Sequence, residues 1–481
     1  WDTNGLNGNI LESEAIVIDS LKIGNPLANE LTPNVLAKIT DVTGISGMPN
    51  LTYLDVRENE ITSVDLSANI ALVDVSLGGN LLSTINVTKN VNLTSLFLND
   101  NQLTTIDVSN NTTLERFGIM RNQFTSIDVS TLLNIKDLFI HGNQLTSIDL
   151  TKNVNLVTLQ AYDNLLSNLD VSQNIFLEIL RMDNNHDLNP NNTISSLDLS
   201  NNIALRDLRI SNNPINAIDL TNNINLEFIT LDGVGISGID VTQNTKLKRI
   251  YASFNSNFTS LDVSQNTDLE YLTISNNNIS SIDVSNNPEL LWLSIEHNSI
   301  LDIDLSNNTK LTNLYLDNNG FSSLDVSANL LLGKGNPQPF APVFVNQNPN
   351  LSCIQVDVTQ DTSEWIKDDN AIFSTNCGNP NATIAIPDTN FEQALIDAGW
   401  DSNGLSGTIL ETEAQAIDSL KISGKEIASL VGLEKMSNLT YLHASNNSLT
   451  SINTTQNTKL QKLYLDGNNL SDIDVSLNTE L

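Results

Sequence analysis

LTSLFLNDNQLTTIDVSNNTT, Leu93 to Thr113, is one turn of a phrase that recurs almost without interruption from Leu51 to Leu332. Repeats start at Leu51, Leu72, Leu93, Leu114, Ile135, Leu156, Leu177, Leu205, Leu226, Leu247, Leu269, Leu290 and Leu311. A fixed period of 21 residues marks a solenoid, in which each repeat buries its apolar side only against its neighbours. Two steps are longer. The step from Leu177 to Leu205 carries HDLNPNN (His186 to Asn192), and the step from Leu247 to Leu269 is longer than the period by one residue. Both are expected to bulge while the strands stay in register.

Each repeat divides again. Leu93, Leu96, Leu98 and Asn101 read LxxLxLxxN, and Leu103, Ile106, Val108 and Asn111 repeat the phrase. Both halves alternate apolar and polar through their centres, the period of a strand. The pattern therefore predicts a mainly β solenoid with a short parallel strand on both faces of every coil and little helix outside the caps. Strands on both faces would space the coils equally, giving a straight twisted rod of roughly 60 Å. Asn closes each half, because its amide both donates and accepts and so can satisfy a turn buried between coils. One ladder is Asn59, Asn80, Asn101, Asn122, Asn143 and Asn164; the other is Asn69, Asn90, Asn111, Asn153 and Asn174. Leu132 interrupts the second ladder and Val234 the first.

The ends carry a second duplication. WDTNGLNGNILESEAIVIDSLKI (Trp1 to Ile23) matches WDSNGLSGTILETEAQAIDSLKI (Trp400 to Ile422), and LTYL follows each, at Leu51 and Leu439. In the second copy the cap starts earlier, with IPDTNFEQALIDAG (Ile386 to Gly399), which reads as a short amphipathic helix. The chain thus divides into an incomplete N-terminal cap (1–50), a first array (51–332), a C-terminal cap (333–378), a linker (379–386), a second N-terminal cap (387–438) and a second, truncated array (439–481). With no initiator Met and no leader at Trp1, it reads as a mature or excised fragment.

These residues resemble the bacterial leucine-rich repeats of the nested type, LxxLxLxxNxLxxLDLxxN. The segments IPDTNFEQALID before an array and NPNLSCIQVD (Asn348 to Asp357) after one are similar to caps of secreted and cell-surface proteins of the Bacteroidetes. The resemblance implies a right-handed leucine-rich repeat solenoid and an interaction protein of the cell exterior. It covers nearly the whole chain.

Of 481 residues, 16% are charged and the formal net charge is −34. Nucleic acid is excluded as an expected partner, because neutralising phosphate needs clustered Lys and Arg. Anionic lipid is excluded for the same reason, and no stretch is apolar enough to enter a membrane. A monomer is expected. The two cysteines, Cys353 and Cys377, sit together in the C-terminal cap. They read as one disulfide, hence an oxidising compartment, with two buried thiols as the alternative.

The two halves of the repeat differ in freedom. The second is nearly constant: TSVDLS, TTIDVS, TSIDVS, SSLDLS. The first differs in every coil: TYLDVR, ERFGIM, KDLFIH, VTLQAY, RDLRIS, KRIYAS, LWLSIE. Six of the seven arginines (Arg57, Arg116, Arg181, Arg206, Arg209, Arg249) fall in this variable half, with Arg121 just beyond it. So do Tyr53, Phe97, Phe139, Tyr162, Phe228, Tyr251, Tyr271, Trp292 and Tyr315. Arg, Tyr and Trp dominate binding hot spots. The alternative is cross-strand packing. The stretch Phe139 to Tyr315 is the densest, and its Phe139, Tyr162, Arg181, Arg206, Arg209, Arg249, Tyr251, Tyr271, Trp292 and Tyr315 are the candidate ligand-binding residues.

The constant half stacks one carboxylate per coil: Asp65, Asp107, Asp128, Asp149, Asp170, Asp198, Asp219, Asp240, Asp262, Asp283, Asp304 and Asp325. Neighbours ~5 Å apart repel by roughly 0.8 kcal/mol in water, so something must offset the charge. Hydrogen bonds from nearby Ser/Thr and N–H groups would do so; a row of weak calcium sites is the alternative. The caps give a fainter calcium signal. Asp2 and Asn4, and again Asp401 and Asn403, start loops that resemble an EF-hand with its glycine misplaced, although a Gly-rich turn explains them as well. Catalysis finds no constellation: His141, His186, His297 and His443 are scattered over different coils, and His141 is expected at the exposed surface. The functions left are binding of a protein ligand, binding of a glycan, or an acidic spacer or adhesin stalk.

Overall fold

The computed structural model describes residues 12–23, 38–184, 191–334, 341–377 and 383–481. The chain divides into two compact units. The first comprises residues 1–321, 328–350 and 361–368; the second comprises 322–327, 351–360 and 369–481.

In the first unit, the variable half of every coil contributes one short strand. Tyr53–Asp55, Asp74–Ser76, Ser95–Phe97, Arg116–Gly118 and Asp137–Phe139 pair in sequence order. Ser20–Lys22 pairs ahead of Tyr53–Asp55, and the series continues to Asn313–Tyr315 and closes on Val343–Phe344, giving a 15-stranded parallel sheet among the described residues. Successive side chains alternate faces in a strand. The central residue (Leu54, Val75, Leu96, Phe117, Leu138) is fully buried and the flanking two point outward. Backbone pairing runs past each strand, as in Leu98 N–H to Gly118 C=O at 2.8 Å. Both long steps keep register: Arg181 stands opposite Arg209 and Arg249 opposite Tyr271. At the first, Asn192 takes the ladder place, accepting from Leu166 N–H at 3.0 Å and donating to Ala161 C=O at 3.0 Å.

The constant half corrects the expectation of a second sheet. Among the described residues its backbone enters a ladder only at Ser323–Asp325, which pairs with Cys353–Gln355 and then Ile372–Ser374 in the second unit. Elsewhere its first amide reaches the next coil's asparagine, as in Leu103 N–H to Asn122 Oδ1 at 3.0 Å, and the amides that follow bond locally. Ser109 N–H donates to Asp107 Oδ1 at 2.9 Å, Asn111 N–H to Val108 C=O, and Leu114 N–H to Asn111 C=O. Short-range bonds of this kind compete with strand pairing. Leu103 and Val108 still face the core. The constant half is buried as its period of two requires, but its backbone does not pair into a second continuous sheet.

The two asparagine ladders work differently. Asn143 Oδ1 accepts from Phe124 N–H at 3.1 Å, and its Nδ2 donates to the carbonyls of Ile119 and Ile140 at 3.0 Å. The donors and acceptors belong to different coils, so the amide ties the stack. Asn153, in the second ladder, donates to Val129 and Leu132 carbonyls at 2.9 Å, but its Oδ1 has no partner.

In the second unit, Cys353 and Cys377 form a disulfide with Cα atoms 5.7 Å apart, which settles the choice between bonded and free thiols. The expected cap helix is Thr389–Asp397. Asp388 caps it: Oδ1 accepts from Asn390 and Phe391 N–H, and Oδ2 from Ala428 and Ser429 N–H. Phe391 and Leu395 of the helix are buried with Ile386, Ile409 and Leu433.

Candidate recognition surface

Register turns the variable sheet into a grid. The first strand position forms a row Tyr53, Asp74, Ser95, Arg116, Asp137 and onward to Phe228, Arg249, Tyr271 and Trp292. The third position forms a parallel row that includes Asp55, Ser76, Phe97, Gly118, Phe139, Arg181, Arg209, Tyr251 and Tyr315. Two residues further lie Arg57, Asn99, Met120, His141 and Tyr162.

The arginines are held by this grid. Arg57 donates from Nε and Nη2 to the buried Asp55, both at 2.9 Å. Arg181 and Arg209 share Asp207, at 2.8 and 2.9 Å. Arg116, Arg209 and Arg249 lie over the rings of Phe97, Phe228 and Tyr271 at 5.0, 4.3 and 4.6 Å, attracted to the ring face. Aromatic rings meet across coils: Phe228 with Tyr251 at 5.6 Å, Trp292 with Tyr315 at 4.8 Å, and Tyr315 with Phe344 at 5.5 Å. Phe97 and Phe139 approach to 5.9 Å across the intervening Gly118, where a Cβ would stand 2.6 Å from Phe97 Cδ1.

The candidates do not all come together. Arg209, Arg249, Tyr251, Tyr271, Trp292 and Tyr315 lie on adjacent coils, each at least part-exposed. Phe139 belongs with Phe97, Tyr162 stacks on His141, and Arg181 is engaged with Asp207. Arg206 is not on the grid. It precedes the strand and sits between Glu178 and Glu227, 3.8 and 2.8 Å away, in a flanking row of alternating charge that also pairs Lys136 with Glu115.

Three features escaped sequence reading. Phe344 extends the aromatic row beyond the last repeat. His141 is not a surface residue: it is 6% exposed, and its Nδ1 has no partner. Burial, then the Arg121 charge, lowers its pKa to about 4, so it is neutral at pH 7. The third is a depression of about 370 Å³ lined by Tyr53, Arg57, Asp74, Ser95, Phe97 and Arg116, outside the stretch that looked densest. Its signal was the run of small outward residues, Ser76, Ser95 and Gly118, beside large ones.

The aspartate ladder is an array of local turns. Asp149 Oδ1 accepts from Thr151 N–H at 2.9 Å and from Thr151 Oγ1 at 2.7 Å. The Thr151 hydroxyl and N–H hold the carboxyl below its ordinary pKa. Asn86 makes the same two bonds with Thr88, so the place requires an acceptor and not a charge. Among the described residues no group of three or more His, Cys, Asp or Glu side chains is placed to hold a metal. Asp2, Asn4 and His186 lie outside the described residues. Asp401 is buried and accepts from Asn403 N–H at 3.1 Å. No helix among the described residues is long and apolar enough to cross a membrane.

The coil, its asparagine ladders and the continuous 15-stranded parallel sheet of the first unit define a leucine-rich repeat solenoid. No protein-family model and no curated protein matches the chain. Among solved structures it is similar to the functional domain of InlJ from Listeria monocytogenes, which includes a cysteine ladder. The two share 28% identity over 70% of this chain and 76% of that one, with a TM-score of 0.57. It is also similar in fold to a leucine-rich repeat protein of Leptospira interrogans, at 22% identity over 59% and 77% of the two chains, TM-score 0.55. The present chain has only two cysteines, both in its disulfide, and its ladders are of asparagine.

Proposed function

We propose that this chain is an extracellular binding module that takes a protein ligand on the variable strand face. The observation that carries the reading is the run Arg209, Phe228, Arg249, Tyr251, Tyr271, Trp292 and Tyr315, set on adjacent coils and none of it buried. Interlocked rings and guanidinium groups form a surface that is already rigid, so a partner meets it with little ordering cost. The exposed Arg249 guanidinium and the part-exposed rings suit a polypeptide with acidic and apolar side chains. The disulfide favours an oxidising compartment.

A glycan is the second reading, favoured by the depression near Tyr53, where Tyr53 and Phe97 stand beside Asp74, Asn99 and Arg116. The test is a paired screen of the purified chain on peptide and glycan arrays. Peptide hits that fall at least tenfold in Arg249→Ala and Trp292→Ala, and not in Thr146→Ala of the constant half, support the reading. Sugar hits lost in Phe97→Ala would transfer it to a glycan. Loss in Thr146→Ala equal to that on the strand face would sink both.

A further inference from the structure

Asp401 is 5% exposed and uses only half of its carboxylate. Oδ1 accepts from Asn403 N–H at 3.1 Å, while Oδ2 has no hydrogen-bond partner. Glu413 repeats the arrangement. Its Oε1 accepts from Ser402 N–H at 3.2 Å, which brings the carboxylate against the residue next to Asp401; its Oε2 is shielded from solvent and has no partner. Glu392, 1% exposed, stands near and shows what a satisfied acid looks like here: Oε1 accepts from the N–H groups of Ser406, Gly407 and Thr408 at 2.7, 2.6 and 3.0 Å. Among the described residues no Lys, Arg or His offsets this charge at Asp401. Burial, together with Glu392 and Glu413, raises its pKa.

An ionised oxygen buried without a donor is expensive, and two brought close together need a shared counter-charge. We propose that Asp401 Oδ2 and Glu413 Oε2 together hold a hard divalent cation, calcium by preference, at the head of the second cap. Hard cations take carboxylate, amide and main-chain oxygens. The loop supplies Asp401 at its first position, Asn403 at its third and Glu413 at its thirteenth, one residue longer than a calcium loop of the EF-hand kind. Asn403 Oδ1 already accepts from Ser406 Oγ at 3.1 Å, so the site rests on two carboxylates. That places it with weak extracellular modules, at about 10⁻⁴–10⁻³ M. The bound ion would pin the turn to the helix Glu411–Ala416, which carries Glu413.

Trp400 adjoins the site and packs on the cap core, so it can sensitise terbium bound there. The full chain is titrated with terbium at neutral pH under tryptophan excitation. Because the first cap opens with the same residue types, the quantity read is the fraction of emission lost. Asp401→Asn, Glu413→Gln and Trp400→Phe should each remove the same fraction, about half if both caps respond, and calcium should compete for it. Emission unchanged in Asp401→Asn and Glu413→Gln overturns the proposal. So does a wild-type melting temperature that is indifferent to calcium but rises in Asp401→Asn, since that pattern identifies a shared proton instead of an ion.

Discussion

The two halves of each coil have nearly the same apolar pattern and opposite ways of satisfying their backbones. In the variable half, N–H and C=O groups pair with the next coil's backbone, as in the strands Arg116–Gly118 and Asp137–Phe139. Outward side chains are released from that duty and are free to vary within the space their neighbours leave. In the constant half, side chains do the bonding: Asp107 takes the N–H of Ser109, and Asn111 donates to the carbonyls of Val87 and Asn90. The sequence is pinned because the backbone depends on it. Variability therefore measures freedom, and only the Arg and aromatic residues that fill the free positions point to recognition.

The sharpest way to break this comparison is at the ladders. Asn143→Ala removes bonds on both sides of the amide at a fully buried site and should cost ~3 kcal/mol in urea unfolding. Asn153→Leu should cost only about 1 kcal/mol, since its acceptor is already unused and Leu132 occupies the equivalent place one coil earlier. Equal losses would contradict the different roles assigned to the two ladders.

His141 tests whether the variable face is partly structural. Its folded pKa is depressed, so the unfolded chain takes up the proton first. The stabilisation is complete above the unfolded value near 6.5 and is lost as pH falls toward about 4. The loss should reach roughly 3 kcal/mol, and His141→Phe, which keeps a ring on Tyr162, should lack that slope between pH 7 and pH 4.5. A parallel pH dependence in both proteins would refute it.

Arg57→Ala should cost about 2 kcal/mol by leaving Asp55 buried without its partner, with Asp55→Asn restoring part of the loss. Additive losses would mean that the pair is not coupled. The smallest effect is expected at Asp128→Asn, whose melting temperature at pH 7 should match wild type, because Asn86 fills the same place. Only below pH 4, where the carboxyl held low by Ser130 finally takes a proton, should the variant gain relative to wild type. A clear drop at pH 7 would return a role to the charge itself.

Much of this was legible in the residues. Leu96, Leu98 and Leu103 fell inside as their spacing required, and the cap helix and disulfide followed the expected segments. The second sheet was misread because extended, core-facing backbone has the same period of two whether or not it pairs. His141 and Arg206 were misplaced for a related reason. A repeat gives the direction of a side chain, but burial depends on Tyr162 one coil away, and an ion row depends on Glu178 and Glu227.

The sequence by itself determined the coil, the core and the position of every ladder, because those follow from a period and from the bonding capacity of Asn and Asp. Only the tertiary structure decided which outward residues meet. Stacking at one coil per strand brings together groups 21 or more residues apart, and no single repeat contains the neighbour that buries, pairs or frees its side chains.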